Sequence, residues 1–352
     1  MLKRFNRRVA IAKVASRRVF RVVGVLSCAL MGASLISFAS PAQAATTWRL
    51  ATDQQIDSPE GKAYQHFSDL VKQYSHDDLQ IQIFPYSQLG SDSAMLEQMS
   101  AGLIQVFPDA LSDAQKWVPD MRYISAPFLF GSREQWLGFM HSPLVAGWLA
   151  QVKQRAGVDV IGDPTTFMRG PYRVLVSTRP VTGLQDIKNL KLRLAKDPLS
   201  VDAWMNLGAS VQVMDWSEVY DSLDRHMIDA MTSPIAQLES IKVTEVAKHV
   251  ARTNEYYQSV GFFVNAKAYE SLSPTLKAAV DRAYAETSQY VTALENTYTN
   301  DSIARMKKNG VQFTDLDTQA FSAKMKSYYD AAGTAGKLPA GFMDAVHAAA
   351  PH

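Results

Sequence analysis

The chain has 352 residues, with 36 Lys and Arg against 34 Asp and Glu; it is 47% hydrophobic and 20% charged. That is enough chain for two lobes with cores of their own, and it excludes a collagenous or low-complexity polymer, a disulfide-stapled mini-domain and a generally disordered protein. The charge is unevenly placed: residues 1–44 carry eight Lys and Arg and no acid, leaving 28 basic and 34 acidic side chains in the other 308 residues and a net charge near −6. An acidic remainder argues against a nucleic-acid surface.

Residues 1–44 read as an export leader. Lys3, Arg4, Arg7, Arg8, Lys13, Arg17, Arg18 and Arg21 precede an apolar run from Val22 to Ala39. Ala42-Gln43-Ala44 then has the small-x-small form that signal peptidase cuts, so cleavage is expected after Ala44. The competing reading is a permanent anchor, since the run is roughly long enough to cross a bilayer; the Ala-x-Ala site and the lack of a second such segment favour cleavage. Ser16-Arg17-Arg18-Val19-Phe20 resembles a twin-arginine signal, although scattered arginines in an ordinary basic region also account for it. Cys28, the only cysteine, ends a poor lipobox, and lipidation is not expected. Cleavage leaves no thiol for a disulfide, a metal or a nucleophile. An exported, cysteine-free chain of this kind points to a bacterial periplasm.

After the leader, Trp48–Thr52 reads as a first strand and Pro59–Gln73 as a helix with Ala63, Phe67, Leu70 and Val71 on one face. Leu79–Phe84 alternates strictly and predicts a half-buried strand. Ser91 and Asp92 can cap the next helix, with Met95, Leu96 and Met99 inward and Gly102 closing it. The strand–helix–strand–helix order predicts an α/β layer on a mainly parallel sheet. A second such unit is expected from near Val158, with strands at Tyr172–Ser177 and Leu190–Ala195, a short helix at Leu184–Lys188, and helices at Pro198–Leu207 and Ser217–Arg225. From Ser273-Pro274 a helical pattern runs unbroken to about Asn309-Gly310, with Leu276, Val280, Ala283, Tyr284, Thr287, Tyr290, Val291, Leu294 and Tyr298 on one face. At ~1.5 Å per residue it is roughly 50 Å long and would lie across two lobes and brace them.

Catalytic signatures are absent from the sequence. There is no G-x-S-x-G, Walker loop, G-x-G-x-x-G or H-E-x-x-H, and the seven histidines are scattered. Asp221, Asp224 and Asp229 fit a solvated helix face. No metal or cofactor is expected, and nothing demands an enzyme.

One set of motifs is more specific. Pro85-x-x-Gln88-Leu89-Gly90-Ser91-Asp92 and Met95-Leu96-Glu97 are followed by Gly170-Pro-Tyr-Arg173, Thr178-Arg-Pro180 and Leu184-x-Asp186-Ile187-x-Asn189-Leu190-Lys191-Leu192-Arg193. Trp216-Ser217-Glu218-Val219-Tyr220, Ile228-Asp229-Ala230 and Thr232-Ser233-Pro234 complete the series. Across essentially the whole chain after the leader, it resembles the DctP-type solute-binding protein of a tripartite ATP-independent periplasmic (TRAP) transporter. The resemblance implies a two-lobe α/β periplasmic binding protein with an interlobe cleft, which closes on a small organic acid and hands it to the small and large membrane subunits. It implies residues 45–170 plus about 259–298 in lobe I, and 171–258 plus about 299–352 in lobe II, in a monomer.

It also implies that Arg193 grips the ligand carboxylate, that Arg173 assists and that Trp216 lines the pocket. Ser233 replaces an asparagine usual before that proline, and Asp215 stands where the family often has proline. Asp53 and Asp109 match pocket-edge positions of the first lobe. The residues read independently in the same direction: Arg193 interrupts the apolar series Leu190, Leu192, Leu194, and a cation buried there needs an acceptor, which its planar fork would meet in a carboxylate. The alternative is a salt bridge to an internal acid. Arg173 fits a ligand contact or an exposed strand-edge charge, and Arg169 is an extra candidate for the ligand that reads more simply as a loop surface charge. Trp216 fits a ligand stack or a core position. Asp215 fits the pocket or a capping pair with Glu218; in the pocket it would accept a ligand hydroxyl and favour a hydroxy or sugar acid. Ser233 fits a ligand contact or an N-cap. A periplasmic sensor that presents an organic acid to a receptor kinase, and an exported enzyme acting on a sugar acid, are the rival functions. The leader reading is tested by intact mass: protein secreted to the periplasm should begin at Ala45, and a mass that includes residues 1–44 contradicts it.

Overall fold

The computed structural model describes residues 45–350. The basic leader, its cleavage site and Cys28 lie outside those residues. Among the described residues no helix is long and apolar enough to cross a membrane.

Strand β1 (Thr46–Ala51) leads through helix α1 (Pro59–Tyr74) to β2 (Leu79–Phe84), which pairs with β1 in parallel from Thr46 opposite Leu79 to Ala51 opposite Phe84. Ser58 caps α1 by accepting from the Gly61 N–H, Pro59 takes the first turn, and Ala63, Phe67, Leu70 and Val71 are buried. Helix α2 (Asp92–Ser100) buries Met95, Leu96 and Met99, as its spacing predicts. β3 (Val106–Ala110) follows, then two 3-10 turns (Leu111–Lys116 and Pro119–Ser125), α3 (Arg133–Met140), α4 (Pro143–Ala156) and β4 (Val158–Val160).

β4 does not open a second unit. It joins the first sheet, whose order is β2-β1-β3-β10-β4, where β10 (Val260–Asn265) returns from much later in the chain and runs antiparallel to both neighbours. The second sheet has the order β11-β9-β5-β8-β6-β7, built from β5 (Arg173–Ser177), β6 (Lys191–Leu194), β7 (Ser210–Val213), β8 (Ala230–Pro234), β9 (His249–Arg252) and β11 (Gln312–Asp315). Both sheets are mixed rather than mainly parallel, because each contains strands that enter or leave by a crossing between lobes. The Leu184–Ile187 segment is a 3-10 turn. α5 (Pro198–Leu207) carries Pro198 in its first turn and ends at Gly208, while the expected Ser217–Arg225 helix is a 3-10 turn at Trp216–Glu218 leading into α6 (Val219–Asp224).

Sheet parity in the second lobe fixes the direction of the site residues. Leu192 and Leu194 of β6 join Leu175, Ala230, Ala251 and the α5 residues Leu199, Ala203 and Trp204 in one core. The other face of that sheet packs Val174, Val176, Met231 and Val250 with Val219, Leu223 and Met306. Arg193 therefore points away from the α5 layer, opposite Met231 across the ladder.

Two antiparallel passes cross between the lobes at 161–172 and 253–259. They are bonded to each other by Arg169 N–H to the Gln258 carbonyl at 2.8 Å and Val260 N–H to the Phe167 carbonyl at 2.9 Å. Short α7 (Ala266–Glu270) precedes α8 (Pro274–Lys308), whose 35 residues make the long brace that the sequence predicts. α8 packs along α1. It receives the Gly170 N–H of the crossing on Glu295 at 2.9 Å, and near its end Arg305 grips Glu239 with two bonds of 2.6 Å. Its buried stripe departs from the expected one: Tyr290 is exposed and stacks on His66, Leu294 and Tyr298 are half-buried, and the stripe continues instead through Glu295, Thr299, Ser302 and Met306. Of these polar side chains Glu295 receives a backbone N–H of the first crossing, whereas the buried hydroxyls of Thr299 and Ser302 have no hydrogen-bond partner among the described residues. α9 (Gln319–Thr334) packs on α5, and α10 (Phe342–Ala348) returns to α3, with Phe342 against Phe139 at 5.5 Å between ring centroids.

Gly162, at the start of the first crossing, has φ +65°, and a Cβ there would stand 2.3 Å from the Tyr284 ring of α8. Gly162→Ala is expected to cost about 1–3 kcal/mol by this overlap and the left-handed backbone together. An unchanged urea midpoint would show that the crossing does not press on the brace.

Candidate functional site

The carboxyl ends of β1, β3 and β6 converge with the two crossing passes on one cavity of about 140 Å³. Ligand sites in open α/β sheets form at such strand ends. The first lobe supplies Asp53 just after β1, Asp92 at the start of α2, Asp109 on β3 and Asp113 in the turn that follows. The second lobe supplies Arg193, Thr232, Trp204 and Trp216, and the crossings supply Arg169, Tyr256 and Gln258, with Arg173 where the first crossing enters β5. A wider mouth of about 460 Å³ shares Asp53, Gln54, Asp92 and Trp216 with it and carries Asp215 and Tyr220.

The three arginines are 5–6% exposed, yet their surroundings differ. Arg169, expected as a surface charge, is a buried ion-pair centre: Nη2 donates to Glu60 at 2.8 Å and Nη1 to Asp109 at 3.0 Å. Glu60 is filled by Tyr64 at 2.8 Å, by Arg169 and by Gln237 of the second lobe at 3.0 Å. Arg173 is no exposed strand-edge charge either. It pairs with the buried Glu255 at 2.8 Å, donates to Gln258 and to Thr232 at 3.2 Å, and lies 4.2 Å from the Tyr256 ring centre.

Arg193 has no acidic partner among the described residues. Nε and Nη2 donate to the Met214 carbonyl at 3.1 and 2.8 Å, its guanidinium lies 5.4 Å from the Trp216 ring centre, and Nη1 makes no hydrogen bond. Burial pulls its pKa down to about 10, against the raising influence of Asp215. It remains a cation at neutral pH. A cation held this way lacks the anion that would offset its desolvation, and Arg193 lines the cavity with Nη1 unbonded.

The other expected residues divide. Asp109 lines the cavity but is committed to Arg169 and to its neighbour's N–H at 2.7 Å. Asp53 accepts from Gln54 at 2.8 Å, and burial together with the Asp109 charge pushes its pKa up to about 7. Trp216 is half-buried, lining the cavity on one side and packing against the core on the other. Asp215 is exposed at the mouth, and its N–H is received by Glu218 at 3.1 Å, half of the expected capping pair. Ser233 does not reach the cavity. Strand parity turns it away from Thr232, its hydroxyl donates to the Pro234 carbonyl at 3.0 Å, and it caps no helix.

Sequence reasoning missed Thr232, Tyr256, Gln258, Glu255, Asp92 and Asp113 as site residues. Asp92 had a signal, lying within the Gln88–Asp92 motif, but capping accounted for it. Burial raises Asp92 to about 8, with Asp109 and Asp53 adding, and raises Asp113 well above the carboxylate range, again with Asp109 adding.

Residues 50–334 match the family model described as bacterial extracellular solute-binding protein, family 7. The chain is 28% identical over 299 residues to the 2,3-diketo-L-gulonate-binding periplasmic protein YiaO of Escherichia coli K12, covering 84% of this chain and 89% of that one. It is 24% identical over 294 residues to the sialic acid-binding periplasmic protein SiaP of Vibrio cholerae, covering 84% and 90%. A TRAP periplasmic solute-binding protein of Actinobacillus succinogenes with bound L-galactonate superposes with a TM-score of 0.72 at 28% identity, over 79% of this chain and 91% of that one.

Arg169→Met should leave Glu60 and Asp109 buried without a counter-charge and cost about 3–5 kcal/mol at neutral pH. A denaturant midpoint within error of wild type would mean that the pair of contacts is not a structural clamp.

Proposed function

Because the chain belongs to the DctP family of bacterial extracellular solute-binding proteins, we propose that it binds a small organic acid by its carboxylate on Arg193 and delivers it to the membrane subunits of a TRAP transporter. The family is one of transport, and its members bind solutes without converting them. The observation that carries the reading is the contrast among three equally buried arginines: two are neutralised within the protein and the third is not.

Arg193 is the anchor, and its fork offers the cavity one free edge for charge-assisted hydrogen bonds to a carboxylate. Trp216, already against the guanidinium, closes one side of the ligand. Arg173, held by Glu255, Gln258 and Thr232, is a positioning residue that fixes the wall rather than a second free cation. Asp53, Asp92 and Asp113 reach the ligand from the first lobe, so a bound molecule is held from both lobes at once and favours the closed arrangement. The membrane subunits would recognise that arrangement. The relatives that bind 2,3-diketo-L-gulonate and L-galactonate support a ligand from the sugar-acid and carboxylate range.

A thermal-shift screen of organic acids should find at least one that raises the melting temperature, since a ligand selective for the folded state stabilises by mass action. Calorimetry should then give Arg193→Ala an affinity about a hundredfold lower, with Arg193→Lys between the two, because the charge survives and the fork does not. Binding by Arg193→Ala within about twofold of wild type would refute the anchor.

A further inference from the structure

The cavity is polarised. Its second-lobe end carries the one guanidinium without an acidic partner, and its first-lobe end carries three carboxylates without a basic one: Asp53, Asp92 and Asp113 form no ion pair among the described residues. They come from three separate elements, the loop after β1, the first turn of α2 and the turn after β3. The other cavity acids are engaged: Asp109 with Arg169, and Asp197 with the N–H groups of Leu199 and Ser200 at the start of α5. The Asp92 side chain makes no hydrogen bond among the described residues, Asp53 holds only the amide of Gln54, and Asp113 has a side-chain contact with Asp109.

Taking the reading of Arg193 above as its basis, we propose that the ligand is dipolar, with a carboxylate on Arg193 and a protonated nitrogen at its other end, held by Asp53, Asp92 and Asp113. A dicarboxylate would set its second anion against these three acids. A hydroxylated monocarboxylate would hydrogen-bond to these acids but bring no positive charge to offset the mutual repulsion that holds Asp53, Asp92 and Asp113 above the usual carboxylate range. An ammonium or amidinium end neutralises the first-lobe wall as the carboxylate neutralises Arg193, so both lobes gain a counter-charge from one molecule.

The charged groups facing these acids are few. Asp92 is faced by Asp109, Asp53, Arg169 and Asp215; Asp53 by Asp109, Arg169 and Glu60; Asp113 by Asp109, Asp92 and Arg169. Two cations face them: Arg169, already held by Glu60 and Asp109, and Arg193, whose charge interacts with Asp92 across the cavity. Asp53 near 7 and Asp92 near 8 shed their protons as pH rises through neutrality. Binding of a cationic end should therefore tighten between about pH 6 and pH 8.5, whereas binding of an acid with an uncharged tail should weaken over the same range.

The test is calorimetric titration of the intact exported protein with three matched straight-chain series: ω-amino acids, ω-hydroxy acids and α,ω-dicarboxylates of two to six carbons. The expected result is an amino acid that binds at least about tenfold tighter than its hydroxy and dicarboxylate counterparts and tightens as pH rises. Asp92→Asn, checked for an unchanged melting temperature, should lose that tenfold preference. A hydroxy acid or dicarboxylate that binds best, or a preferred amino acid indifferent to Asp92→Asn, overturns the proposal. If such a ligand still needs Arg193, the carboxylate anchor stands and only the dipolar claim has failed. If no member of any series binds, the dipolar claim fails together with the anchor.

Discussion

A guanidinium taken out of water must meet an anion, and this fold removes three of them at the junction of two lobes. Arg169, Arg173 and Arg193 are almost equally buried, so the difference between them lies in what the chain provides. Arg169 receives Glu60 from α1 and Asp109 from β3; Arg173 receives Glu255 from the second crossing. Arg193 receives only the Met214 carbonyl, a dipole where its neighbours have full charges. Desolvation of a cation without such compensation is tolerable only where something else supplies the negative charge.

The two satisfied arginines also tie the crossings to both lobes. Arg169 sits on the first crossing, and its partner Glu60 takes a further bond from Gln237 of the second lobe, while Glu255 and Gln258 lie on the second crossing beside Arg173. The crossings bond to each other and, through Gly170, to Glu295 on the long helix. Charges that shape the cavity are thus the charges that fix the passage between lobes. Events at Arg193 and at the first-lobe acids act across a junction built from the same network.

Much of this was legible in the sequence wherever the signal was local. The period of α1, the apolar face of α2, the proline and glycine at the ends of α5 and the unbroken run of α8 all depend on neighbours within a few residues, whereas the expected Ser91/Asp92 side-chain cap of α2 is not formed. Arg193 stood out because it breaks an apolar alternation on its own strand. What failed was long-range. Arg169 resembles a loop charge until α1 and β3 bring acids from 109 and 60 residues away. β4 looked like the opening of a new unit because nothing nearby shows that β10 will return to pair with it. Ser233 and Thr232 differ only by strand parity, which a short strand ending in proline leaves open.

The central claim is that Arg193 is left without an internal counter-ion so that a guest can supply one. A crystal structure with the best-binding acid tests it directly. The account predicts the carboxylate within hydrogen-bond distance of Arg193, reached through its Nη1 edge, with Arg169 and Arg173 keeping their own acids. A structure in which Arg193 turns to Asp215 or another acid of the protein, or in which the ligand carboxylate lies on a different residue, would contradict it.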